Sequence, residues 1–258
     1  MQKRVRSTEI RSRKGTPFAT ITAYDVSFCA AIEAAGIDVI LVGDSLGNVI
    51  LGYDSTVHVT LEDMARHGAA VARATVHSHV IIDMPFMSYE VSNEEAIRNA
   101  GTLVRAGASS VKLEGAAHAG RIAAIVAAGI PVVGHIGVVP QTAALHDGFR
   151  KRADSAALLA DARAVAAAGA FAVVLEMVES NVADEITRTI EIPTIGIGSG
   201  PHCDAQILVL NDLLGLSSNP PPFARPYGDL KAAATAALSS YADDVRSGRF
   251  GRAAVPTR

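Results

Sequence analysis

The run SSVKLEG at residues 109–115 decides how the rest of the chain is interpreted. Its apolar residues suit a buried strand, yet Lys112 and Glu114 interrupt it near its carboxyl end. Side chains alternate between the two faces of a strand, so Lys112 and Glu114 share one face while Val111 and Leu113 take the other. We therefore expect charged groups on the inner face of a parallel sheet whose outer face is covered by helices.

Seven further runs extend this pattern along the chain. They are ATITAY (19–24), VILVGDS (39–45), VIIDMPF (80–86), PVVGHIG (131–137), FAVVLEM (171–177), PTIGIGSG (193–200) and ILVLNDLLG (207–215). The last run would also suit a helix. Ala-rich helical segments ending in glycine separate most runs, as at 155–169. The 258 residues therefore predict an α/β fold, a single-domain (β/α)8 TIM barrel over 1–258, with a C-terminal helical tail at 230–245.

Composition and charge exclude several classes of protein. The net charge is −3 and aromatic residues make up 5% of the chain, so neither a basic surface nor a stacking platform for nucleic acid is indicated. No segment resembles a secretory signal or the ~20 apolar residues of a membrane span. Cys29 and Cys203 suit a reducing compartment. We expect a soluble, cytoplasmic protein with no nucleic-acid or membrane partner, whose Ala-rich exterior favours a homo-oligomer.

Polar side chains cluster at the carboxyl ends of the predicted strands. Besides Lys112 and Glu114, they are Tyr24, Asp25, Asp44, Ser45, Asp83, His135 and Glu176. In a (β/α)8 barrel the active site forms at those ends, so we expect these side chains to converge on one mouth. The buried carboxylates among them outnumber the lysine, and an unpaired buried charge costs several kcal/mol, so a cation is expected there.

The oxygen-rich set of side chains predicts Mg²⁺, which takes one or two carboxylates and completes its coordination with water and substrate oxygens. Asp44 and Asp83 are the predicted direct ligands. A small 2-oxo acid would chelate the ion through its carboxylate and ketone oxygens. The metal would then stabilise the enolate formed by loss of a neighbouring C–H proton. Lys112 is predicted to balance the substrate carboxylate.

Glu176 is the predicted base, because it ends an apolar strand near the substrate and does not serve the metal. His135 is predicted to hydrogen-bond a substrate or product oxygen, with a structural role as the alternative. Structural alternatives also stay open for Asp44, which could shape a turn, and for Lys112, which could pair with Glu114 alone.

Several motifs recur in the order and spacing of one known family. They are TPFATITAYD, DVILVGDSLGNVILGYDST, DMPFMSYEVSNEEAIRNAGTLVRAGASSVKLEG, GIPVVGHIGVVPQ, VLEMV, IPTIGIGSG and DAQILVLNDLLGL. On these motifs the chain resembles the ketopantoate hydroxymethyltransferases of pantothenate biosynthesis. The resemblance implies transfer of a hydroxymethyl group from 5,10-methylenetetrahydrofolate to 3-methyl-2-oxobutanoate, which gives 2-dehydropantoate and tetrahydrofolate. It also implies a homo-oligomer, a decamer.

The resemblance further implies roles for individual residues. By this resemblance Mg²⁺ is held by Asp44 and Asp83 and contacted through water by Glu114. Ser45 and Lys112 would bind the 2-oxo acid, and Glu176 would remove the proton from its C3 carbon.

The chain departs from the family pattern after Pro140 and Gln141. Family members usually carry a glycine-rich loop with Lys-Val-Gln-Gly there, whereas this chain has TAALHDGFRKRADSAAL. A loop at this end of a barrel is where a lid or a folate contact would lie, so this departure concerns folate use and closure and leaves the metal-binding residues unchanged. Ser199, where Ala is usual, is a smaller departure.

Two other functions stay open. One is a Mg²⁺-dependent carbon–carbon lyase or mutase of the phosphoenolpyruvate mutase/isocitrate lyase type, which resembles this chain in its GDSLG-like second strand. Those lyases usually carry a Lys-Cys-Gly loop after the fourth strand, whereas GAAHAGRIAA follows Glu114 here. The other is a non-catalytic metabolite-binding paralogue, motivated by the altered loop and opposed by the intact acidic set.

Overall fold

The computed structural model of the chain describes residues 4–145, 148 and 150–251. The chain divides into two compact units, Met1–Val209 and Leu210–Arg258. All eight strands belong to the first unit. That residues 1–258 form one domain stays a prediction.

The first unit contains a closed barrel of eight parallel strands. The strands are β1 Phe18–Thr22, β2 Val39–Val42, β3 His79–Asp83, β4 Ser110–Glu114, β5 Val132–Gly137, β6 Ala172–Glu176, β7 Thr194–Ile197 and β8 Ala205–Leu208. Each strand pairs with the next along the chain, and β8 pairs with β1. The predicted (β/α)8 TIM-barrel fold is confirmed.

Alternate residues of the strands fill the barrel. Leu41 of β2, Ile81 of β3 and Val133 of β5 belong to one buried apolar cluster. Asp83 lies two residues beyond Ile81 and His135 two residues beyond Val133, so these polar side chains face the same interior. Apolar packing therefore gives way to charged groups toward the carboxyl end of the strands.

Helices surround the strands of the first unit and form the second. They are α1 Ser7–Arg11, α2 Cys29–Ala34, α3 Leu46–Val49, α4 Leu61–Ala74, α5 Asn93–Arg105, α6 Ala119–Ala127, α7 Ser155–Ala167, α8 Ser180–Thr189, α9 Leu210–Leu213 and α10 Leu230–Arg246. The predicted glycine caps are confirmed, for example at Gly107 and Gly169, which have φ of 112° and 94°. By contrast, α4 and α8 are followed by extended Thr75 and Ile190, so no glycine marks their ends.

The eighth predicted run, 207–215, is only partly a strand. β8 begins earlier, at Ala205, because Ala205 pairs with Phe18 and Ile207 pairs with Thr20. The LNDL segment is the short helix α9, the alternative that its pattern allowed. A strand of four residues followed by one helical turn has no distinct period, so the apolar content of the run could not separate them.

The second unit contains α9 and α10. Helix α10 begins after Asp229, whose side chain accepts a hydrogen bond from Ala232 N at 3.0 Å. The predicted C-terminal helical tail is therefore confirmed. None of the helices in the described part of the chain is both long and apolar enough to cross a membrane.

At the amino end of the barrel, His79 is held as a neutral ring. Its Nδ1 lies 2.9 Å from the carbonyl oxygen of Val5, and its Nε2 lies 2.8 Å from Ser110 Oγ. A carbonyl can only accept, so the proton lies on Nδ1 and Nε2 accepts from the Ser110 hydroxyl. Burial, helped by the nearby Arg4 charge and opposed by the Val5 hydrogen bond, lowers the pKa of His79 to about 4.

We predict that His79 makes the stability of the fold depend on pH. Its pKa is about 4 in the folded chain against an ordinary 6.5, so the unfolded chain binds more protons between these values. The contribution is complete above pH 6.5 and is lost as the pH falls toward 4, by about 2 kcal/mol down to pH 5. Urea unfolding above pH 6.5 and at pH 5 should show that the free energy of unfolding falls by about 2 kcal/mol more in wild type than in His79→Gln. Equal losses would contradict the prediction.

Candidate active site

The register of the barrel places the predicted site residues side by side. Asp83 ends β3 and pairs with Lys112 of β4, while Glu114 ends β4 and pairs with His135 of β5. Glu176 ends β6 at the same rim. The predicted convergence at the carboxyl end of the barrel is therefore confirmed for these five side chains.

Lys112 is a buried cation between two carboxylates. Its Nζ lies 3.1 Å from Asp83 Oδ1 and 3.7 Å from Glu114 Oε1. Burial alone would lower the pKa of Lys112, but the charges of Asp83 and Glu114 raise that pKa above its ordinary value. Lys112 is thus a fixed positive charge that forms ion pairs with both Asp83 and Glu114.

His135 bridges two carboxylates. Its Nδ1 lies 3.3 Å from Glu114 Oε1, and its Nε2 lies 3.3 Å from Glu176 Oε2. Burial and the charge of Lys112 lower the pKa of His135, but the two carboxylates outweigh them and raise it to about 9. Both ring nitrogens therefore carry protons at neutral pH. In that state Nδ1 carries its proton toward Glu114 Oε1, and Lys112 Nζ lies 3.2 Å from the same nitrogen.

Asp44 and Asp83 are adjacent buried carboxylates, and the positive charge around them does not offset their negative charge. Asp44 N donates to Asp83 Oδ2 at 3.0 Å. Burial, then the charges of Glu114 and Asp83, raise the pKa of Asp44 well above its usual range. Burial also raises the pKa of Asp83 despite Lys112. Burial acts in the same direction on Glu114, but there the charges of His135 and Lys112 prevail and lower the pKa.

This pair of carboxylates has the donor chemistry that Mg²⁺ requires. Asp83 Oδ1 is buried and has no hydrogen-bond partner within the part of the chain that the structure describes, with the Lys112 ammonium as its neighbour. One or two hard carboxylate oxygens are the usual protein contribution to Mg²⁺ coordination. Among the described residues, no three His, Cys, Asp or Glu side chains are arranged to hold a metal ion together. The residues therefore fit an ion held by two carboxylates and not by a closed protein cage.

The loops after β1 and β2 supply a hydroxyl at the mouth. Ser45 is partly exposed, and its Oγ lies 2.9 Å from the hydroxyl of buried Tyr24. Asp25 does not join the cluster, so its predicted convergence is wrong. Its carboxylate is exposed and accepts a hydrogen bond from Ser27 N at 2.7 Å, because Asp in a tight turn bonds its own backbone.

The chain turns sharply directly after Glu176. Met177 has φ of 48°, an uncommon conformation for a residue with a side chain. Backbone hydrogen bonds hold the turn: Val138 N donates to Glu176 O at 2.9 Å, and Arg152 N donates to Met177 O at 2.8 Å. Such strain persists only where the surroundings enforce it, so the direction of Glu176 is fixed by its neighbours.

Ser199 closes the same turn from the segment after β7. Its buried Oγ donates to Leu175 O at 2.7 Å and accepts from Val178 N at 3.0 Å. Leu175 directly precedes Glu176 in the chain, and Val178 directly follows Met177. The departure from Ala at this position therefore adds two hydrogen bonds around the predicted base.

Tyr89 and Gln141 belong to the cluster and were given no role from the sequence. Gln141 Nε2 donates to Asp44 Oδ2 at 2.8 Å, and the Tyr89 hydroxyl donates to Gln141 Oε1 at 2.6 Å. Gln141 lies in the 3₁₀ segment Pro140–Leu145, so the rule that strand ends carry the site could not find it. Residues 146, 147 and 149 of the rewritten loop lie outside the described residues.

Comparison with known proteins agrees with this geometry. The ketopantoate hydroxymethyltransferase family matches residues 3–253. The chain belongs to this family. The 3-methyl-2-oxobutanoate hydroxymethyltransferase of Pyrobaculum islandicum is 52% identical over 95% of this chain and 96% of its own length. That of Thermosynechococcus vestitus is 48% identical over 92% and 93%.

Solved structures of other barrel proteins are also similar to this chain. 2,3-Dimethylmalate lyase, a phosphoenolpyruvate mutase/isocitrate lyase superfamily member, has a TM-score of 0.63 at 18% identity, covering 97% of this chain and 91% of that chain. Phosphonopyruvate hydrolase in complex with oxalate and Mg²⁺ has a TM-score of 0.64 at 16% identity, covering 100% and 92%. At such identities the likeness shows the fold alone.

We predict that Ser199→Ala lowers the free energy of unfolding by about 1–3 kcal/mol, because the Leu175 carbonyl and the Val178 N–H lose a buried partner. Urea unfolding at pH 7 measures the change. Ser27→Ala, on an exposed turn of the same unit, is the matched control and should change stability by less than ~0.5 kcal/mol. A Ser199 variant as stable as wild type would refute the assignment.

Proposed function

We propose that the chain transfers a hydroxymethyl group from 5,10-methylenetetrahydrofolate to 3-methyl-2-oxobutanoate, giving 2-dehydropantoate for pantothenate biosynthesis. Relatives of that activity at 52% and 51% identity support the proposal. The observation that carries it is a difference in exposure. The Glu176 side chain is 15% exposed, against 3% for Asp83 and 4% for Glu114. One carboxylate can therefore meet a substrate C–H bond while the others stay in the charged cluster.

In this proposal Asp44 and Asp83 would hold Mg²⁺, and Glu114 would assist them, as the family resemblance implies. The raised pKa values of both aspartates, caused first by burial, support a cation at this point. The Mg²⁺ and oxalate complex of phosphonopyruvate hydrolase, a barrel of the same fold, is in keeping with it. Bound there, the ion would offset the negative charge that develops on the enolate oxygen.

Lys112 and Ser45 bind the 2-oxo acid. The Lys112 ammonium supplies a fixed positive charge for the substrate carboxylate, because its raised pKa keeps it protonated. The Ser45 hydroxyl, held by Tyr24 at 2.9 Å, supplies a hydrogen bond beside it. Together they orient the substrate before any proton moves.

Glu176 removes the proton from C3 of the substrate. Its Oε2 forms an ion pair with His135 Nε2 at 3.3 Å, so the positively charged ring faces the carboxylate. Once Glu176 has taken the proton it is uncharged, and it no longer attracts the positively charged His135 ring. The Nε2–H of His135 is then free to bond a substrate or product oxygen, as the sequence predicts.

The enolate carbon then forms a bond to the methylene carbon of the folate as one of that carbon's two C–N bonds breaks, and the proton taken from C3 goes to the released nitrogen. One water molecule then breaks the second C–N bond: its hydroxyl stays on the methylene carbon, its proton goes to the second nitrogen, and tetrahydrofolate is released. Folate use, a cytoplasmic location and assembly into a homo-oligomer, a decamer by family resemblance, are parts of this proposal.

A carbon–carbon lyase or mutase of the phosphoenolpyruvate mutase/isocitrate lyase type is the second candidate, favoured by the shared fold. Its solved representatives are 15–20% identical to this chain, whereas curated hydroxymethyltransferases are 44–52% identical. A non-catalytic paralogue has less support, because the buried charged cluster is complete.

Exchange of the C3 proton tests enolate formation. Protein with Mg²⁺ and 3-methyl-2-oxobutanoate in D2O, without folate, should lose the C3 proton signal by NMR. Asp83→Ala and Glu176→Gln should each slow exchange at least ~100-fold, since they remove a metal ligand and the base. Glu179→Gln makes the same change on a side chain that is 42% exposed and should behave as wild type. Absence of exchange in wild type would end the proposal at its first step.

Addition of 5,10-methylenetetrahydrofolate tests one-carbon transfer separately. We expect 2-dehydropantoate to form in protein that already exchanges the C3 proton, detected by mass spectrometry. Exchange without this product would overturn the folate part of the proposal. The rewritten loop after Gln141 would then be the expected cause, and the lyase or mutase would become the favoured function.

A further inference from the structure

We propose that Gln141 is a positioning residue that holds Asp44 and Glu114 in the arrangement required for a divalent ion, and that Tyr89 fixes the orientation of its amide. The inference rests on the proposed function, in which these two carboxylates serve the metal. Nothing in the strand-end pattern assigns a role to either Gln141 or Tyr89.

Gln141 connects carboxylates that belong to non-adjacent strands. Asp44 follows β2 and Glu114 ends β4, with β3 between them. The side-chain Nε2 of Gln141 donates to Asp44 Oδ2 at 2.8 Å and to Met84 O at 3.0 Å. Its backbone N donates to Glu114 Oε2 at 3.1 Å. One buried residue thus fixes an oxygen of each carboxylate.

Tyr89 determines which way the amide of Gln141 points. The Tyr89 hydroxyl donates to Gln141 Oε1 at 2.6 Å and accepts from Glu114 N at 3.3 Å. Burial, and then the charge of Glu114, raise the pKa of Tyr89 above its ordinary value, so the hydroxyl keeps its proton. A flipped amide would set its oxygen against the acceptors on Asp44 and Met84. The observed orientation is therefore the one that the network satisfies.

Tyr89 is in turn held by the helix that follows β4. Arg121 Nε of α6 donates to the carbonyl oxygen of Tyr89 at 3.0 Å, and the His118 ring packs edge-on against the Tyr89 ring at 5.2 Å. The hydroxyl reaches the cluster from a fully buried ring. Tyr89 thus acts on Asp44 only through Gln141.

A neutral amide suits this position because it orients the carboxylates without cancelling their charge. A lysine or arginine in its place would donate similar hydrogen bonds but would compete with a divalent ion. Outer hydrogen-bond partners of metal-binding side chains typically change metal affinity by about 10–100-fold when removed. We expect an effect of this size for Gln141.

Binding of Mn²⁺ to the full chain, measured by isothermal titration calorimetry, tests the inference without relying on turnover. Gln141→Met keeps the length of the side chain and removes its side-chain hydrogen bonds to Asp44, Met84 and Tyr89, while the backbone bond to Glu114 remains. It should weaken Mn²⁺ binding about 10–100-fold. Tyr89→Phe, which preserves packing, should weaken it less. In the Gln141→Met background Tyr89→Phe should have a smaller effect than in wild type, because its bond to Gln141 Oε1 is already lost and only its contact with the Glu114 backbone remains.

Gln206→Met is the matched control. Gln206 lies on β8, is exposed and donates to Gly200 O at 2.9 Å, so its loss should leave Mn²⁺ affinity unchanged. Circular dichroism establishes that each variant is folded, and Tyr89→Phe carries the test if Gln141→Met does not fold. Folded variants that bind Mn²⁺ as wild type does, or wild type that binds none, would overturn the inference. Wild type that binds Mn²⁺ in a Gln141-dependent way but exchanges no C3 proton would uphold it and contradict the proposed function instead.

Discussion

Buried negative charge at the mouth of the barrel is the constraint on which the rest of the site depends. Asp44, Asp83 and Glu114 are all buried there, and Lys112 and His135 are the cations that contact them among the described residues. Two cations suffice to lower the pKa of Glu114, yet burial and the neighbouring carboxylates still raise the pKa of Asp44. An uncompensated buried charge is costly, and that cost is the physical reason for the cation proposed at the mouth.

Neutral hydrogen-bond donors hold this charge in place without removing it. Gln141 orients Asp44 with its side-chain amide and Glu114 with its backbone N–H, and the hydroxyl of Ser199 ties together the backbone on both sides of Glu176. Both residues come from segments that follow a strand and contribute no charge of their own. The barrel supplies the charged groups, and the connecting segments fix their geometry.

Strand parity and strand ends were sufficient to predict most of the charged cluster. Lys112 and Glu114 share a face of one strand, and the parallel register then aligns them with Asp83 and His135. Gln141 could not be found this way, because its contact with an aspartate 97 residues earlier depends on the path of a loop. Loops have no period from which such a contact can be calculated. The prediction of a strand for the eighth run was only partly correct for a related reason, since four residues are too few to show whether a pattern is helical or extended.

The two interior histidines show that position in the barrel, and not residue type, decides the chemistry. His79 at the amino end contacts a carbonyl and a hydroxyl, and burial lowers its pKa to about 4. His135 at the carboxyl end is equally buried, but two carboxylates raise its pKa to about 9. Neutral partners make the first ring a structural element that stabilises the amino end of the barrel. Charged partners make the second a proton donor beside the proposed base, so the chemistry is confined to the end where the carboxylates lie.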